Sequence, residues 1–170
     1  MARIRRPKKA EKKTKFKFKA TSRFQRPDPR FNNLVVSKLI NQIMHNGKKT
    51  VARKVVYEAM DLLAKRNKET EPLDTVLTAI GNVRPRVEVR SKRVGGATYQ
   101  VPMEVSMKRQ QTLALRVIVD NTRKKKGKPM AQSLADELFD AFNRQGASIT
   151  WRENTHKMAE ANKLFAHFAW

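Results

Sequence analysis

Apolar side chains recur at intervals of three and four residues over most of the chain, which is the spacing of amphipathic helices. Glycine, proline and capping residues divide this pattern into segments with short connections. The pattern predicts six helices, over about 31–45, 48–66, 71–81, 107–124, 130–145 and from about 150 to the C-terminus. Because short connections favour antiparallel neighbours, we expect one helical body.

The apolar stripe of each helix identifies the side chains that should form the core. In the first two helices these are Leu34, Val35, Leu39, Ile40, Ile43 and Met44, and then Val51, Val55, Ala59, Leu62 and Leu63. In the others they are Leu73, Val76, Leu77 and Ile80; Leu113, Val117 and Ile118; Leu134, Leu138, Ala141 and Phe142; and Met158, Ala161, Phe165 and Phe168. Thr150 and Glu153 have the spacing of a capping box, which predicts the start of the last helix.

Between the third and fourth helices the period changes to two. The stretch VEVRSKRVGGATYQVPMEV, residues 87–105, alternates around two glycines and predicts a two-stranded β-ribbon that protrudes at about 86–105. We expect a three-residue loop over 95–97, because it gathers the apolar side chains of both strands on one face. The pairs in that register are Val87 with Val105, Val89 with Met103, and Ser91 with Val101.

The turn end of this ribbon is cationic. In the expected register Arg90 and Lys92 share one face, and Arg93 lies on the other face, across from Tyr99. Such an end suits insertion between phosphate backbones, with Tyr99 available to stack on a base. The alternative is a solvated arm that contacts no partner.

Charge indicates the kind of partner. The chain has 170 residues, with 38 Lys and Arg against 15 Asp and Glu and a formal net charge of +23. Folding does not require this excess, and its self-repulsion destabilises the compact state, so we expect nucleic acid as the partner, ahead of an acidic membrane surface. Residues 1–30 hold 13 of the basic side chains and two acidic ones. We therefore expect a basic extension, 1–27, that is disordered until bound, and a single RNA-binding domain, 28–170.

Candidate catalytic and metal-binding residues are sparse. The chain has no cysteine, which excludes thiol catalysis and zinc–thiolate sites. His45, His156 and His167 stand apart, without acidic residues at ligand spacing. No apolar run approaches the roughly 20 residues of a membrane span. We expect no enzyme activity, no metal or cofactor, and no membrane partner.

Three blocks carry a resemblance to a known family: DPRFNNLVVSKLINQIMHNGKKTVA, NVRPRVEVRSKRVGGATYQVPMEV and MAEANKLFAHFAW. They resemble the bacterial-type family of small-subunit ribosomal protein seven, over residues 28–170. The resemblance implies a helical body with a protruding β-ribbon. It also implies binding to the 3′ major domain of small-subunit rRNA, nucleation of head assembly, and a ribbon near exit-site tRNA and mRNA.

The resemblance further implies neighbouring head proteins as partners, no homo-oligomer in the ribosome, and a cytoplasmic ribosome in preference to an organellar one. The basic extension is longer and richer in lysine than the family leads us to expect. The RNA contacts that the resemblance implies are Arg3, Arg5, Arg6, Lys8, Lys9, Lys12, Lys13, Lys48, Lys49, Arg84, Arg86, Arg90, Lys92, Arg93, Tyr99, Lys108, Arg109, Arg116, Lys157, Asn162, Lys163, His167 and Trp170. The run RKKKGK at 123–128 is either a solvated helix end or a further RNA contact.

Two other functions compete with an RNA-binding assembly protein. A DNA-bending architectural protein would also use a basic ribbon, but such ribbons usually carry an apolar wedge at the tip, where this chain has Gly95 and Gly96. An RNA-processing enzyme would need an acid–base or metal cluster, which the sequence does not offer. Competition between structured RNA and duplex DNA separates the first alternative, and a turnover assay with Mg²⁺ separates the second.

Overall fold

The computed structural model describes residues 25–67 and 69–169. Its helices are α1 (Leu34–Ile43), α2 (Lys49–Arg66), α3 (Pro72–Val83), α4 (Met107–Lys124), α5 (Met130–Phe142) and α6 (Ala147–Ala161). Strands β1 (Val87–Val94) and β2 (Ala97–Glu104) form an antiparallel ribbon between α3 and α4, and a 3₁₀ segment, Lys163–Phe168, follows α6. The expected fold class is confirmed, and α4 has the expected bounds. The basic extension lies outside the described residues up to residue 24, so its disorder stays a prediction.

The core forms where α5 packs against α2, α3 and α4. Leu134 and Leu138 of α5 are fully buried, as are Ile80 of α3 and Ile118 of α4. Burying a side chain of this size contributes about 1.5–3 kcal/mol relative to leaving it exposed. The stripes expected for α3 and α5 face this core.

The buried faces of α1 and α2 are rotated from their expected positions. Leu34 is 48% exposed and Val51 is 56% exposed, whereas Val36 and Val56 are fully buried. Both helices carry apolar residues over more than one narrow stripe. The spacing in the sequence therefore does not determine which of these residues lie at the edge of the buried face. Packing of α1 on α2, and of α2 on α5, selects that edge.

The last helix begins at Ala147 instead of Thr150, so the expected capping box is wrong. Its N-cap is Gly146, whose φ is 89° and where an added Cβ would lie 2.9 Å from Asp140 Cβ, so glycine is required. The cap comes from another helix, because the buried Glu137 carboxylate accepts hydrogen bonds from Ser148 N at 3.1 Å and Ser148 Oγ at 2.6 Å. Its negative charge also offsets the dipole of α6.

The ribbon has a two-residue turn, so the expected three-residue loop is wrong. Gly95 and Gly96 both have positive φ, 58° and 89°, as required by the tight turn whose twist matches that of the strands. The observed pairs include Val87 with Glu104, Glu88 with Met103, Val89 with Pro102, Arg90 with Val101, Lys92 with Tyr99 and Arg93 with Thr98. The apolar side chains therefore divide between two faces, with Val101 fully buried on one and Val89 half-buried on the other.

After Ala161 the chain leaves the α-helix, and its 3₁₀ segment packs on the ribbon. The Tyr99 ring centroid lies 5.3 Å from that of Phe165 and 5.0 Å from that of Phe168. Both phenylalanines are half-buried, and Met158 is 54% exposed, so these residues are not the core positions that the last stripe predicts. The helix ends early because Asn162 is its C-cap, with the side-chain Nδ2 donating to the Met158 carbonyl at 2.7 Å.

Candidate nucleic-acid interface

Two arginines meet at one carboxylate where the ribbon joins the helices. Arg90 Nε lies 2.5 Å from Glu88 Oε1, and Arg109 Nε, at the start of α4, lies 2.8 Å from Glu88 Oε2. The Glu88 side chain is 12% exposed, whereas those of Arg90 and Arg109 are 42% and 49% exposed. Glu88 therefore orients both guanidinium groups while their remaining N–H groups stay available to a partner.

A histidine ties the same end of the ribbon to α6. The backbone N–H of Arg86 donates to His156 Nε2 at 3.1 Å. Burial lowers the pKa of His156, and the positive charges of Arg152 and Arg86 lower it further. The imidazole therefore stays neutral near pH 7 and keeps Nε2 as a hydrogen-bond acceptor.

The C-terminal end of α3 brings a further arginine to this region. Arg84 is the C-cap of α3, and Arg152 of α6 donates to the carbonyl of Asn82 in the last turn of α3. Lys108 precedes Arg109, and Lys157 follows His156; both lysines are exposed. The basic residues at or next to these contacts come from the α3–β1 connection, β1, α4 and α6, and we call them the ribbon-base group: Arg84, Arg86, Arg90, Lys108, Arg109 and Lys157.

The outer part of the ribbon differs from its expected arrangement. Arg93 is exposed and lies across from Thr98, whereas Tyr99 lies across from Lys92. Tyr99 packs against Phe165 and Phe168, and Lys92 Nζ donates to the Phe168 carbonyl at 2.7 Å. In this conformation the part of the Tyr99 ring that packs against Phe165 and Phe168 is not available to a base.

Other candidate residues lie outside the ribbon-base group. Lys48 and Lys49 are exposed at the start of α2, where Lys48 is the N-cap, and Arg116 is exposed on α4. Among the described residues, none of these three forms an ion pair with a carboxylate. They are therefore free to neutralise phosphates.

The C-terminal candidates make mostly local contacts. Lys163 is exposed, and His167 Nδ1 lies 2.7 Å from the Leu164 carbonyl, within the 3₁₀ segment. Trp170 and the candidates in the basic extension lie outside the described residues, and these are Arg3, Arg5, Arg6, Lys8, Lys9, Lys12 and Lys13. Their RNA contacts stay predictions.

The basic run at 123–128 serves the fold in part. Arg123 donates to the Ile43 carbonyl at 3.2 Å, Lys125 Nζ lies 2.7 Å from the buried Glu137 carboxylate, and Lys128 Nζ lies 2.9 Å from Asp136. Lys124 and Lys126 are exposed. The run therefore joins α4 to α1 and α5. This structural role differs from both expected alternatives, a solvated helix end and an RNA contact.

Two cations that the sequence does not single out line a cleft beside the start of α2. Arg26 and Arg53 lie there with Lys49. The signal for Arg53 is its spacing, because Lys49 and Arg53 are four residues apart and so share a helix face. Arg26 is one of many basic residues in the extension, and nothing in the sequence distinguishes it.

The described residues offer no centre for metal chemistry. No three of their His, Asp and Glu side chains are grouped so that they could hold a metal ion. Across the same part of the chain, every helix is too short or too polar to span a membrane.

Comparison with known proteins identifies the family. The sequence model of ribosomal protein S7p/S5e matches residues 15–163. The chain is 56% identical over 144 residues to the small ribosomal subunit protein uS7 of Thermosipho melanesiensis, covering 85% of this chain and 92% of that protein. It is 54% identical over 144 residues to the protein of the same name from Pelagibacter ubique, with the same coverage. It is 51% identical over 152 residues to that of Fervidobacterium nodosum, covering 89% and 97%.

These relatives are bacterial, which agrees with a place in the cytoplasm as part of the ribosome. The match extends from before α1 to the 3₁₀ segment, so it includes the ribbon and the whole helical body. The chain belongs to the ribosomal protein S7p/S5e family, whose members are structural and not enzymatic.

Proposed function

We propose that this chain, as a structural constituent of the small ribosomal subunit, binds the 3′ major domain of small-subunit rRNA and nucleates assembly of the head. In the finished subunit its ribbon approaches exit-site tRNA and mRNA, and the body contacts neighbouring head proteins as a single copy. The relatives' name supports the subunit. The RNA domain, the assembly role and the ribbon's partners rest on the resemblance and on the charge distribution below.

The observation that carries RNA binding is a set of exposed cations without acidic partners. No carboxylate among the described residues pairs with Lys48, Lys49, Arg86, Arg93, Lys108, Arg116, Lys157 or Lys163. By contrast, the acidic side chains Asp136 and Glu137 pair with Arg66, Lys125 and Lys128 within the body. Unpaired surface cations repel one another and destabilise the fold, so their accumulation favours a polyanionic partner.

The burial of the ribbon supports a role in reaching a partner. Val101 and Val105, near the helices, are buried, whereas residues 95–98 around the turn are exposed. Arg93 lies in the exposed part. A ribbon anchored at one end and cationic at the other can contact RNA beyond the helical body.

Filter binding to a 3′ major domain fragment of small-subunit rRNA tests the proposal. We expect tighter binding to this fragment than to a fragment of another rRNA domain of equal length or to duplex DNA. The logarithm of affinity should fall steeply with the logarithm of salt, by roughly 0.7–0.9 for each phosphate neutralised. Equal affinity for the three nucleic acids would contradict specific rRNA binding, and a slope near zero would contradict the electrostatic account.

A further inference from the structure

A cleft lies between residues 25–29 and the helices α1 and α2. Its volume is about 430 Å³, within the roughly 300–1,000 Å³ typical of ligand pockets. Arg26, Lys49 and Arg53 supply its cations, and Asn41 and Gln25 supply neutral polar groups. The chain enters the described structure at this cleft, directly after a segment, 1–24, that holds eleven Lys and Arg and one Glu.

The positive charge of the cleft is not neutralised by the described residues. Arg26, Lys49 and Arg53 form no ion pair with any described carboxylate. The acidic residue in the wall, Asp28, is only 3% exposed. Its carboxylate already accepts hydrogen bonds from Tyr57 Oη at 2.9 and 3.0 Å and from the backbone N–H groups of Arg30 and Phe31. Asp28 therefore holds the wall together and leaves the three cations to an outside partner.

Arg53 also carries a buried donor without a partner, as Arg84 does elsewhere in the described structure. Its Nε atom is out of contact with solvent, and no described atom accepts its hydrogen. A buried donor without an acceptor destabilises a protein, so native structures rarely keep one. Lys48, the N-cap at the same end of α2, has no side-chain acceptor, so the first-turn N–H groups of α2 receive no side-chain cap from it.

We propose that this cleft binds one backbone phosphate of the RNA, with Arg53 donating through its guanidinium and Lys49 and Arg26 completing the charge. A phosphodiester suits the cleft because it brings negative charge and several acceptor oxygens on one small group, which match the planar donors of arginine. The position next to the basic extension lets one RNA strand follow both. This inference rests on the proposed RNA binding and adds a defined contact to it.

The test compares three full-length variants in filter binding to the 3′ major domain fragment over a range of salt. Arg53→Met removes the charge and the buried donor. Lys54→Met removes a neighbouring exposed lysine that does not line the cleft, and is the matched control. Arg53→Lys keeps the charge and loses the planar guanidinium.

We expect Arg53→Met to weaken binding about tenfold or more, the size of one lost charged hydrogen bond, and to flatten the salt slope by about 0.7–0.9. Lys54→Met should weaken binding less than about threefold, and Arg53→Lys should restore the salt slope without restoring the full affinity. The midpoint of thermal unfolding should not fall in Arg53→Met, because the change removes an unpaired buried donor.

Three results contradict the proposal that the cleft binds a backbone phosphate. In one, Arg53→Met and Lys54→Met lose equal affinity, so only overall charge matters. In another, Arg53→Lys equals the unmodified chain in both affinity and slope, so the guanidinium geometry is irrelevant. In the last, Arg53→Met binds RNA normally and instead loses a protein partner in subunit reconstitution, so the ligand is an acidic side chain. If the unmodified chain itself does not prefer the fragment, the proposed function fails, which is a separate outcome.

Discussion

Lys92 Nζ donates a hydrogen bond of 2.7 Å to the backbone carbonyl of Phe168, 76 residues later in the chain. Tyr99, across the ribbon from Lys92, packs its ring against the ring of Phe168. The 3₁₀ segment therefore packs on the part of the ribbon face that carries Lys92 and Tyr99, whereas Arg90 on the same face is 42% exposed. The ribbon thus has two contacts to distinguish, that of Lys92 and Tyr99 with the segment and the proposed contact of exposed cations such as Arg93 with RNA.

Comparison of Lys92→Ala with Arg93→Ala separates these two contacts. Arg93 is exposed and pairs with no described carboxylate, so its loss should weaken RNA binding and leave amide hydrogen exchange in residues 163–168 unchanged. Loss of Lys92 should speed exchange in that segment, because its anchor at Phe168 is removed. Hydrogen exchange read by mass spectrometry checks both, and unchanged protection in Lys92→Ala would show that the hydrogen bond does not hold the segment.

Phe165→Ala should cost less stability than the sequence predicts. Truncation of Phe165 would lower the unfolding free energy by about 3–5 kcal/mol if it were a core residue. Phe165 is instead half-buried against Tyr99. We expect a loss of about 1–2 kcal/mol, within the range of ordinary substitutions. Leu138→Ala, at a fully buried position of α5, is the control and should cost about 2–5 kcal/mol in urea denaturation. Equal losses in the two variants would mean that the 3₁₀ segment is part of the core.

His156 predicts a pH dependence of stability. Its pKa in the folded protein lies below the unfolded value of about 6.5, so between the two values the unfolded chain binds the proton that the folded chain refuses. The resulting destabilisation of the folded state is absent above the unfolded pKa. The unfolding free energy falls as pH drops through the window between the two pKa values. His156→Gln keeps an acceptor for the Arg86 N–H and cannot titrate.

The difference in unfolding free energy between the parent and His156→Gln, measured from pH 8 to pH 5, isolates this effect. His45 and His167 are present in both proteins and cancel. The difference should be constant above about pH 7. As the pH falls further, the parent should lose more stability than His156→Gln. A difference independent of pH would mean that His156 has the same pKa in both states.

Replacing residues 90–100 with a short turn should separate assembly from tRNA contact. The fully buried side chains of the body lie mainly in the helices, so the shortened chain should still fold and enter small subunits. Retention of exit-site tRNA on the resulting ribosomes should fall, because the cations of the outer ribbon are gone.

The shortened ribbon also loosens the 3₁₀ segment, so Phe168→Ala, which removes one ring contact between the segment and Tyr99 but keeps the ribbon, is the matched control. Retained tRNA binding in Phe168→Ala together with lost binding in the shortened chain assigns the contact to the ribbon. Failure of the shortened chain to enter subunits would make the ribbon an assembly anchor, and unchanged tRNA retention would make it a solvated arm.

The expected fold class is a property of local sequence pattern. The apolar periods of α3, α4 and α5 repeat within single helices, and the change of period at residue 87 marks the ribbon, so these elements follow from neighbouring residues alone. The family resemblance rests equally on contiguous stretches. The excess of basic residues likewise indicates a polyanionic partner without reference to the fold.

Contacts between distant residues decided the rest. The expectation of one apolar face on the ribbon assumed that only one face is covered, but Val101 is buried on one face while Val89 is half-buried on the other, and the two glycines then close the shorter turn. The start of α6 depends on Glu137, ten positions before Ala147, and the rotation of α1 and α2 depends on which helix packs beside them. Sequence periodicity records which side chains avoid water, whereas register, capping across helices and the unpaired Arg53 depend on which groups meet in space, and only the tertiary structure decides that.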